Sequence, residues 1–296
     1  MQFPRLLVAS AALCAVAVAF AQSAPIPNAA PSPAAAMVQI PPAPTPTGAA
    51  SWLIMDYSNG QVLASQNPDQ RLEPASITKV MTSYVVAAEL KAGKIKRTDQ
   101  VMISENAWRG GGGGTDGSTS FLPLNSTVSL DELERGMIIQ SGNDAAIALA
   151  EHVAGSEQAF TDLMNNYAKK IGMNNSHFVN PHGLSSPEHY STARDLALLG
   201  RAMIRDFPET YAYNKIRDYT VNGILQHNRN GLLWKDASVD GIKTGHTSAA
   251  GYCLLASAKR GEQRLISAVM GIQTASAAEG FRLRENGNLA LLNWGF

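Results

Sequence analysis

The chain has 296 residues, of which 45% are hydrophobic and 16% are charged, and its 24 basic residues balance its 24 acidic ones. This composition is typical of a globular protein and argues against nucleic acid or an anionic membrane surface as a partner, because no net charge attracts them. The histidines and cysteines show neither H-E-x-x-H nor paired-cysteine spacing, so the sequence predicts no metal and no other cofactor.

The N-terminus is typical of an exported protein. Arg5 precedes the apolar run LLVASAALCAVAVAF, and AFA before Gln22 is a small-x-small cleavage pattern. Because the run is short for a membrane span, residues 1–21 are interpreted as a cleaved signal peptide rather than an uncleaved anchor. Residues 22–50 are rich in Ala and Pro and are expected to form a disordered tether.

The pattern changes at Ser51, where a folded domain covering residues 51–296 is predicted to begin. SWLIMDY and QVLASQ flank Ser58-Asn59-Gly60, and an Asn-Gly pair suits the left-handed positions of a hairpin turn. Residues 74–206 are mainly helical in pattern; DGIKT, GYCLLASAK and RLISAVMG then read as strands, and LRENGNLALLNWGF as a closing helix. Strands at both ends predict an α/β (α+β) fold with one antiparallel sheet.

The first helix of the middle section carries the first candidate for chemistry. In PASITKVMTSYVVAAEL, apolar side chains recur at helical spacing behind Pro74. Ser76 lies in the first turn and Lys79 follows three residues later, so their side chains share one face. The pair is either a capped helix with a surface lysine or a nucleophile with its base. Roughly one S-x-x-K is expected by chance in a chain of this length.

Two later stretches supply the other parts of a site. Ser141 and Asn143 in QSGNDAAIALAEH stand at the junction of two predicted helices, although S-x-N also occurs in SQN and SEN. Lys243-Thr244-Gly245 in VDGIKTGHTSAAGY ends a predicted strand. The ordered set S-x-x-K, S-G-N and K-T-G is far more specific than any single motif. By itself it predicts an exported serine acyltransferase or hydrolase.

With these motifs in place, the sequence resembles the low-molecular-mass penicillin-binding proteins that are serine D-Ala-D-Ala carboxypeptidases. The resemblance covers residues 51–296 and includes SITK, QSGNDA, NPHGL, NRNGLLW, DGIKTGHT and LLNWGF. It implies a β-lactamase/transpeptidase-like fold, in which helices and a mainly helical subdomain flank a five-stranded antiparallel sheet. It also implies removal of the terminal D-Ala from peptidoglycan stem pentapeptides, inhibition by β-lactams, and a location in the bacterial periplasm or on the cell-wall side of the cytoplasmic membrane.

The resemblance implies catalytic roles for the motif residues. Ser76 forms the acyl-enzyme by attacking the penultimate D-Ala carbonyl, and its own backbone N–H donates to the oxyanion. Lys79 is the base, provided that burial and the Lys243 cation keep its amine neutral. Ser141 relays a proton toward the leaving amine, and Asn143 holds the substrate backbone.

Further residues are expected to bind substrate. Lys243 and Thr244 recognise the free terminal carboxylate, and Gly245 and the second oxyanion donor, the His246 N–H, follow on the same strand. Arg264 and Arg194 are candidates for strengthening the attraction of the carboxylate; the alternative for both is a surface or structural ion pair.

Three rival functions use similar motifs. A class A β-lactamase adds a deacylating glutamate, but Glu188 in SSPEHYST lacks the E-x-x-x-N spacing that this role requires. A DD-endopeptidase that acts on peptidoglycan cross-links remains an alternative. So does a non-enzymatic β-lactam sensor, which would be acylated once and signal through a membrane segment.

Three features depart from the family pattern, and one of them is the long Ala/Pro-rich segment at residues 22–50. The glycine run at 110–114 predicts a mobile rim beside the site. Relatives usually continue past LLNWGF into a small β-rich domain and an amphipathic anchor helix, neither of which is expected within residues 51–296. Peripheral association with the inner membrane is therefore expected only for a chain that carries such an anchor.

Overall fold

The structure, a computed structural model, describes residues 40–112, 117–221 and 223–296. The predicted signal peptide and residues 22–39 of the predicted tether lie outside this part of the chain.

Residues 42–296 form one compact unit. Ala43 and Ala49 pack against buried apolar residues of the sheet and the last helix. The folded unit therefore begins at Pro42 rather than at the predicted Ser51, because the small apolar side chains of this segment have a surface against which to bury.

Strands and helices alternate irregularly along the folded unit. In chain order they are β1 (Ser51–Asp56), β2 (Val62–Gln66), α1 (Thr78–Lys91), β3 (Gln100–Met102), α2 (Glu105–Gly112), β4 (Thr127–Ser129), α3 (Leu130–Ile139), α4 (Asn143–Ala154), α5 (Glu157–Lys170), α6 (Ala193–Asp206), α7 (Pro208–Tyr211), β5 (Asp218–Val221), β6 (Ile224–His227), α8 (Leu232–Lys235), β7 (Val239–Thr247), β8 (Gly251–Arg260), β9 (Gln263–Ile272) and α9 (Ala277–Gly295). None of the helices in the described ranges is both long and apolar enough to cross a membrane.

The predicted antiparallel sheet is confirmed, and its five strands lie in the order β2-β1-β9-β8-β7. The two N-terminal strands form a hairpin, and Gly60 in its turn has a φ of +78°. β1 pairs along its other edge with β9, with Leu53 opposite Ala268. The sheet is thus built from both ends of the folded unit, and β7 forms one of its outer strands.

Alternation along the strands divides the apolar core between the two faces of the sheet. Leu53 and Met55 of β1 belong to the larger cluster, which includes residues of α1, α3, α4 and α6. Trp52 and Ile54 belong to the smaller cluster, which includes residues of α8 and α9. The mainly helical part of the chain therefore covers one face, and the C-terminal helix covers the other.

The glycine run begins inside a helix. α2 continues through Gly112, while the rest of the run, 113–114, lies outside the described residues. A Cβ on Gly110 would lie 2.4 Å from Cδ1 of Ile147, and one on Gly111 would lie 2.5 Å from the backbone nitrogen of Asp144. At Gly110 and Gly111 the prediction of a mobile rim is wrong. Both glycines lie in α2, and their missing side chains let α2 pack directly against α4.

Candidate active site

Ser76 lies in a short 3-10 helix that leads into α1. The residue before it, Ala75, has a φ of +48°, a conformation that residues with a Cβ rarely adopt. Gly183 packs so closely that a Cβ there would lie 1.9 Å from the Ala75 carbonyl oxygen. A Cβ on Gly245 would lie 2.8 Å from the carbonyl oxygen of Pro74. These two glycines let the NPHGL loop and β7 close around the turn that presents Ser76.

The amine of Lys79 lies next to the Ser76 hydroxyl, as the helical spacing predicts. The Nζ–Oγ distance is 3.1 Å. Nζ also donates to Oδ1 of Asn143 and to the backbone carbonyl oxygen of His182, each at 2.7 Å. A neutral amine has two N–H groups, which match these two acceptors. Its lone pair then remains for the Ser76 proton.

Burial makes the neutral form of Lys79 accessible. The residue is 1% exposed, and desolvation lowers the pKa of its amine from 10.5 to about 7. The carboxylate of Asp144 opposes this shift, and the Arg229 cation adds to it. Lys243, the cation predicted for this role, does interact with Lys79, because the repulsion between the two amines is mutual, and Arg229 is a further cation that was not predicted. Burial, together with the Lys79 cation, lowers the pKa of Lys243 well below its usual range.

The S-G-N motif occupies the predicted junction between α3 and α4. Ser141 is 2% exposed and has a φ of +68°. Among the described residues its hydroxyl has no hydrogen-bond partner, although buried polar groups are almost always paired. The Ser141 hydroxyl is therefore placed to act on a bound molecule. Asn143 begins α4 and fixes the position of the Lys79 amine.

A cavity of about 330 Å³ opens in front of Ser76. The residues that line it come from the motif loops, the β6–α8 connection, β7 and α9: Ser76, Ser118, Ser141, Asn228, Arg229, Gly231, Thr244, Gly245, His246, Phe281, Arg284 and Glu285. Thr244, Gly245 and His246 lie where they were predicted. The His246 ring stacks on Tyr252 at a centroid distance of 4.1 Å. Lys243 lies behind this wall, and its amine donates to the Thr244 carbonyl oxygen at 3.2 Å.

Two arginines that were not predicted as site residues, Arg229 and Arg284, line the same cavity. Arg284 of α9 is 4% exposed, and it donates to the carbonyl oxygens of Gly245 and Arg229 at 3.3 and 3.4 Å. Burial lowers the pKa of its guanidinium from 12.5 to about 10. Desolvation also lowers the pKa of Arg229. The cavity can therefore attract an anion, while no group of three or more potential ligands for a metal occurs among the described residues.

Comparisons with known proteins show the family of the chain. The family model for D-alanyl-D-alanine carboxypeptidases of the S11 peptidases matches residues 37–274. The chain belongs to this family. It is 52% identical over 250 residues to the D-alanyl-D-alanine carboxypeptidase DacC of Escherichia coli, an alignment that covers 84% of this chain and 61% of DacC. The chain thus spans about three fifths of the length of this relative.

Solved structures of penicillin-binding proteins share the family fold. Penicillin-binding protein 5 from Haemophilus influenzae is 49% identical, with a TM-score of 0.81 and coverage of 86% of this chain and 73% of that one. Penicillin-binding protein D2 from Listeria monocytogenes, solved in its cefotaxime-bound form, is 29% identical, with a TM-score of 0.75. That alignment covers 86% of this chain and 99% of the other.

Two arginines predicted to assist this family's chemistry lie elsewhere. Arg264 makes a two-pronged ion pair with the Asp240 carboxylate, at 2.8 and 2.6 Å. Arg194 pairs with Asp69 near the start of α6, at 2.7 and 3.1 Å. Neither lines the cavity beside Ser76. The expectation that they attract the substrate carboxylate is therefore not supported, because each guanidinium is committed to a carboxylate of the protein.

Proposed function

We propose that this chain is a serine DD-carboxypeptidase that removes the terminal D-Ala from peptidoglycan stem pentapeptides through a Ser76 acyl-enzyme. One observation carries the proposal: the Ser76 hydroxyl lies 3.1 Å from a buried amine, that of Lys79, whose pKa is lowered to about 7. The arginine-lined cavity beside this pair supplies a place for the free carboxylate that defines a carboxypeptidase substrate.

In the acylation step, the lone pair of the Lys79 amine accepts the Ser76 proton as Oγ attacks the penultimate carbonyl. The backbone N–H groups of Ser76 and His246 donate to the oxyanion that develops on the carbonyl oxygen. The C–N bond then breaks, and the terminal D-Ala amine receives a proton through the Ser141 hydroxyl, which has no hydrogen-bond partner among the described residues. Water later attacks the ester, which restores the serine and releases the shortened peptide.

Substrate recognition follows from the charges of the cavity. The guanidinium groups of Arg229 and Arg284 attract the terminal carboxylate, and the Thr244 hydroxyl donates to it. The Lys243 amine supports Thr244 from behind through the backbone. Asn143 donates from its amide nitrogen to the peptide carbonyl, while its oxygen stays on the Lys79 amine. The charge-assisted hydrogen bonds from the two guanidinium groups to the terminal carboxylate are about twice as strong as neutral ones.

β-Lactams are expected to acylate the same serine. Their strained amide presents its carbonyl to Ser76, and their nearby carboxylate can bind at the arginine-lined end of the cavity. The cefotaxime complex of the Listeria relative supports this expectation. We further propose that residues 1–21 direct export, so that the catalytic unit acts outside the cytoplasm, in the periplasm or on the cell-wall side of the membrane.

The proposal is tested by measuring D-Ala release from a diacyl-Lys-D-Ala-D-Ala peptide, together with labelling by a fluorescent penicillin. The wild type and the control Ser58→Ala, in the exposed hairpin turn, should release D-Ala and become labelled. Ser76→Ala should do neither. Labelling of Ser76→Ala would place the nucleophile elsewhere. A wild type that is labelled but releases no D-Ala would indicate a cross-link endopeptidase or a β-lactam sensor instead.

A further inference from the structure

A second cavity shares His246 with the catalytic one. Its volume is about 630 Å³. We call it the rim groove, and its lining comes from the loop after the NPHGL motif and from the turn between β7 and β8: Leu184, Ser185, His246, Thr247, Ser248 and Ala249. Because His246 also lines the cavity beside Ser76, a molecule bound at Ser76 can continue directly into the rim groove.

An extended peptide on β7 would run in that direction. β7 is an outer strand of the sheet, and outer strands accept extended peptides as an additional strand. A peptide whose terminal carboxylate lies at Arg229 and Arg284 has its reactive carbonyl one residue back, at Ser76. The chain advances about 3.3 Å with each further residue. The side chain that precedes D-Ala-D-Ala is therefore the first to pass His246 and meet the rim groove.

One carboxylate is held at the rim groove by a lining residue. The Ser185 hydroxyl donates to Oε2 of Glu73 and lies 3.1 Å from the hydroxyl of Thr247. Glu73 is half-buried, and no Lys or Arg side chain of the described residues forms an ion pair with it. Among the described residues that line the groove, His246 is the only titratable one. Since no Lys or Arg of the described residues forms an ion pair with the Glu73 carboxylate, a cationic ligand would complement its charge.

We propose that the rim groove binds the side chain that precedes D-Ala-D-Ala and that Glu73, positioned by Ser185, selects a side chain with a protonated amine. This inference rests on the proposed carboxypeptidase function and adds a preference within the substrate class. A diamino-acid residue at this place in the stem peptide satisfies it when its distal amine is free. The same residue with an acylated distal amine does not.

The test compares two peptides that differ only at this amine. One is acyl-Lys-D-Ala-D-Ala with a free ε-amine, and the other carries an Nε-acetyl group. The wild type should show a kcat/KM for D-Ala release about fivefold higher for the free amine, the upper range for a solvent-accessible ion pair. Glu73→Gln, which keeps an acceptor for Ser185, should bring this ratio close to one, and Glu73→Lys should invert it.

Two controls separate charge from structure. Glu262→Gln makes the same change in net charge on the exposed turn between β8 and β9, and it should leave the wild-type ratio intact. Added salt should lower the wild-type ratio and leave that of Glu73→Gln unchanged, because salt screens exposed charges. Penicillin acylation of Ser76 in each variant reports whether the catalytic turn is preserved.

The outcomes distinguish this inference from the proposed function. A wild-type ratio near one, or a ratio that Glu73→Gln does not alter, overturns the role of Glu73 while leaving the carboxypeptidase assignment in place. If neither peptide is cleaved although penicillin still labels Ser76, the proposed function fails. In that case the preference is measured by competition, as the concentration of each peptide that halves penicillin labelling of Ser76. Equal concentrations for the two peptides would refute the groove assignment.

Discussion

Acylation of Ser76 by a β-lactam should depend on pH through the protonation state of Lys79. With the ordinary pKa of 10.5, about 0.03% of the amine would be neutral at pH 7, whereas a pKa of about 7 makes about half of it neutral. Burial thus increases the neutral fraction of the Lys79 amine at pH 7 about a thousandfold. Because the neutral fraction rises as protons are lost, the acylation rate constant should increase about tenfold from about pH 6 to about pH 8.

Stopped-flow mixing with a chromogenic cephalosporin measures this rate constant directly. The buried imidazoles of His182 and His189 do not titrate in the window, because burial lowers their pKa values to about 3 and about 4. Burial raises the pKa of Glu134 to about 7, so Glu134→Gln is the necessary control and should retain the acid limb. Lys79→Arg, whose side chain stays charged, should lose at least about a thousandfold in rate.

A second variant, Arg229→Gln, tests the direction in which the pKa of Lys79 is shifted. The Arg229 cation lowers the pKa of Lys79, so Arg229→Gln should raise that pKa and move the acid limb to higher pH. A rate constant that changes less than twofold over the whole window, or an acid limb that disappears in Glu134→Gln, would refute the assignment of Lys79 as the titrating base.

Two further variants test the packing and the charge of the site. Gly183→Ala should lower the acylation rate constant by tenfold or more, because its Cβ would lie 1.9 Å from the Ala75 carbonyl oxygen beside the nucleophile. Gly172→Ala has a similar positive φ but no atom within 4 Å of its Cβ, and it should cost only about 1 kcal/mol of unfolding free energy in a thermal melt. Arg229→Gln should lower kcat/KM about tenfold to a hundredfold for a peptide with a free carboxylate, and much less for its amide. Arg264→Gln should leave this discrimination unchanged; equal losses on the acid and the amide would contradict the role of Arg229.

The sheet and the positions of the motifs could be predicted because both rest on local patterns. Two strand-like stretches around an Asn-Gly turn predicted the first hairpin, and the helical spacing of Ser76 and Lys79 predicted their contact. The order of three short motifs then indicated which stretches meet. The backbone conformation within the motifs could not be predicted from such patterns. The positive φ values of Ala75 and Ser141 depend on neighbours distant in sequence.

The cations of the site could not be assigned in the same way. Arg264 follows the last motif on a core strand. Nothing in its sequence context shows that its guanidinium forms an ion pair with Asp240 of β7. Arg229 and Arg284 reach the cavity only because the β6–α8 connection and α9 pack near the same end of β7. The NRNGLLW motif contained the signal for Arg229, but its role depends on that tertiary arrangement.

The position of β1 between β2 and β9 has a consequence for folding. The chain makes β1 early and β9 late, so during synthesis β1 has an unpaired edge for as long as β9 is missing. Such an edge is a site for aggregation. Thr244 and Arg284, which line the cavity beside Ser76, also belong to the late part of the chain. β9 lies between β1 and β8 in the sheet, so a chain interrupted before β9 would leave that edge unpaired and would leave β8 and β7 without their link to β1.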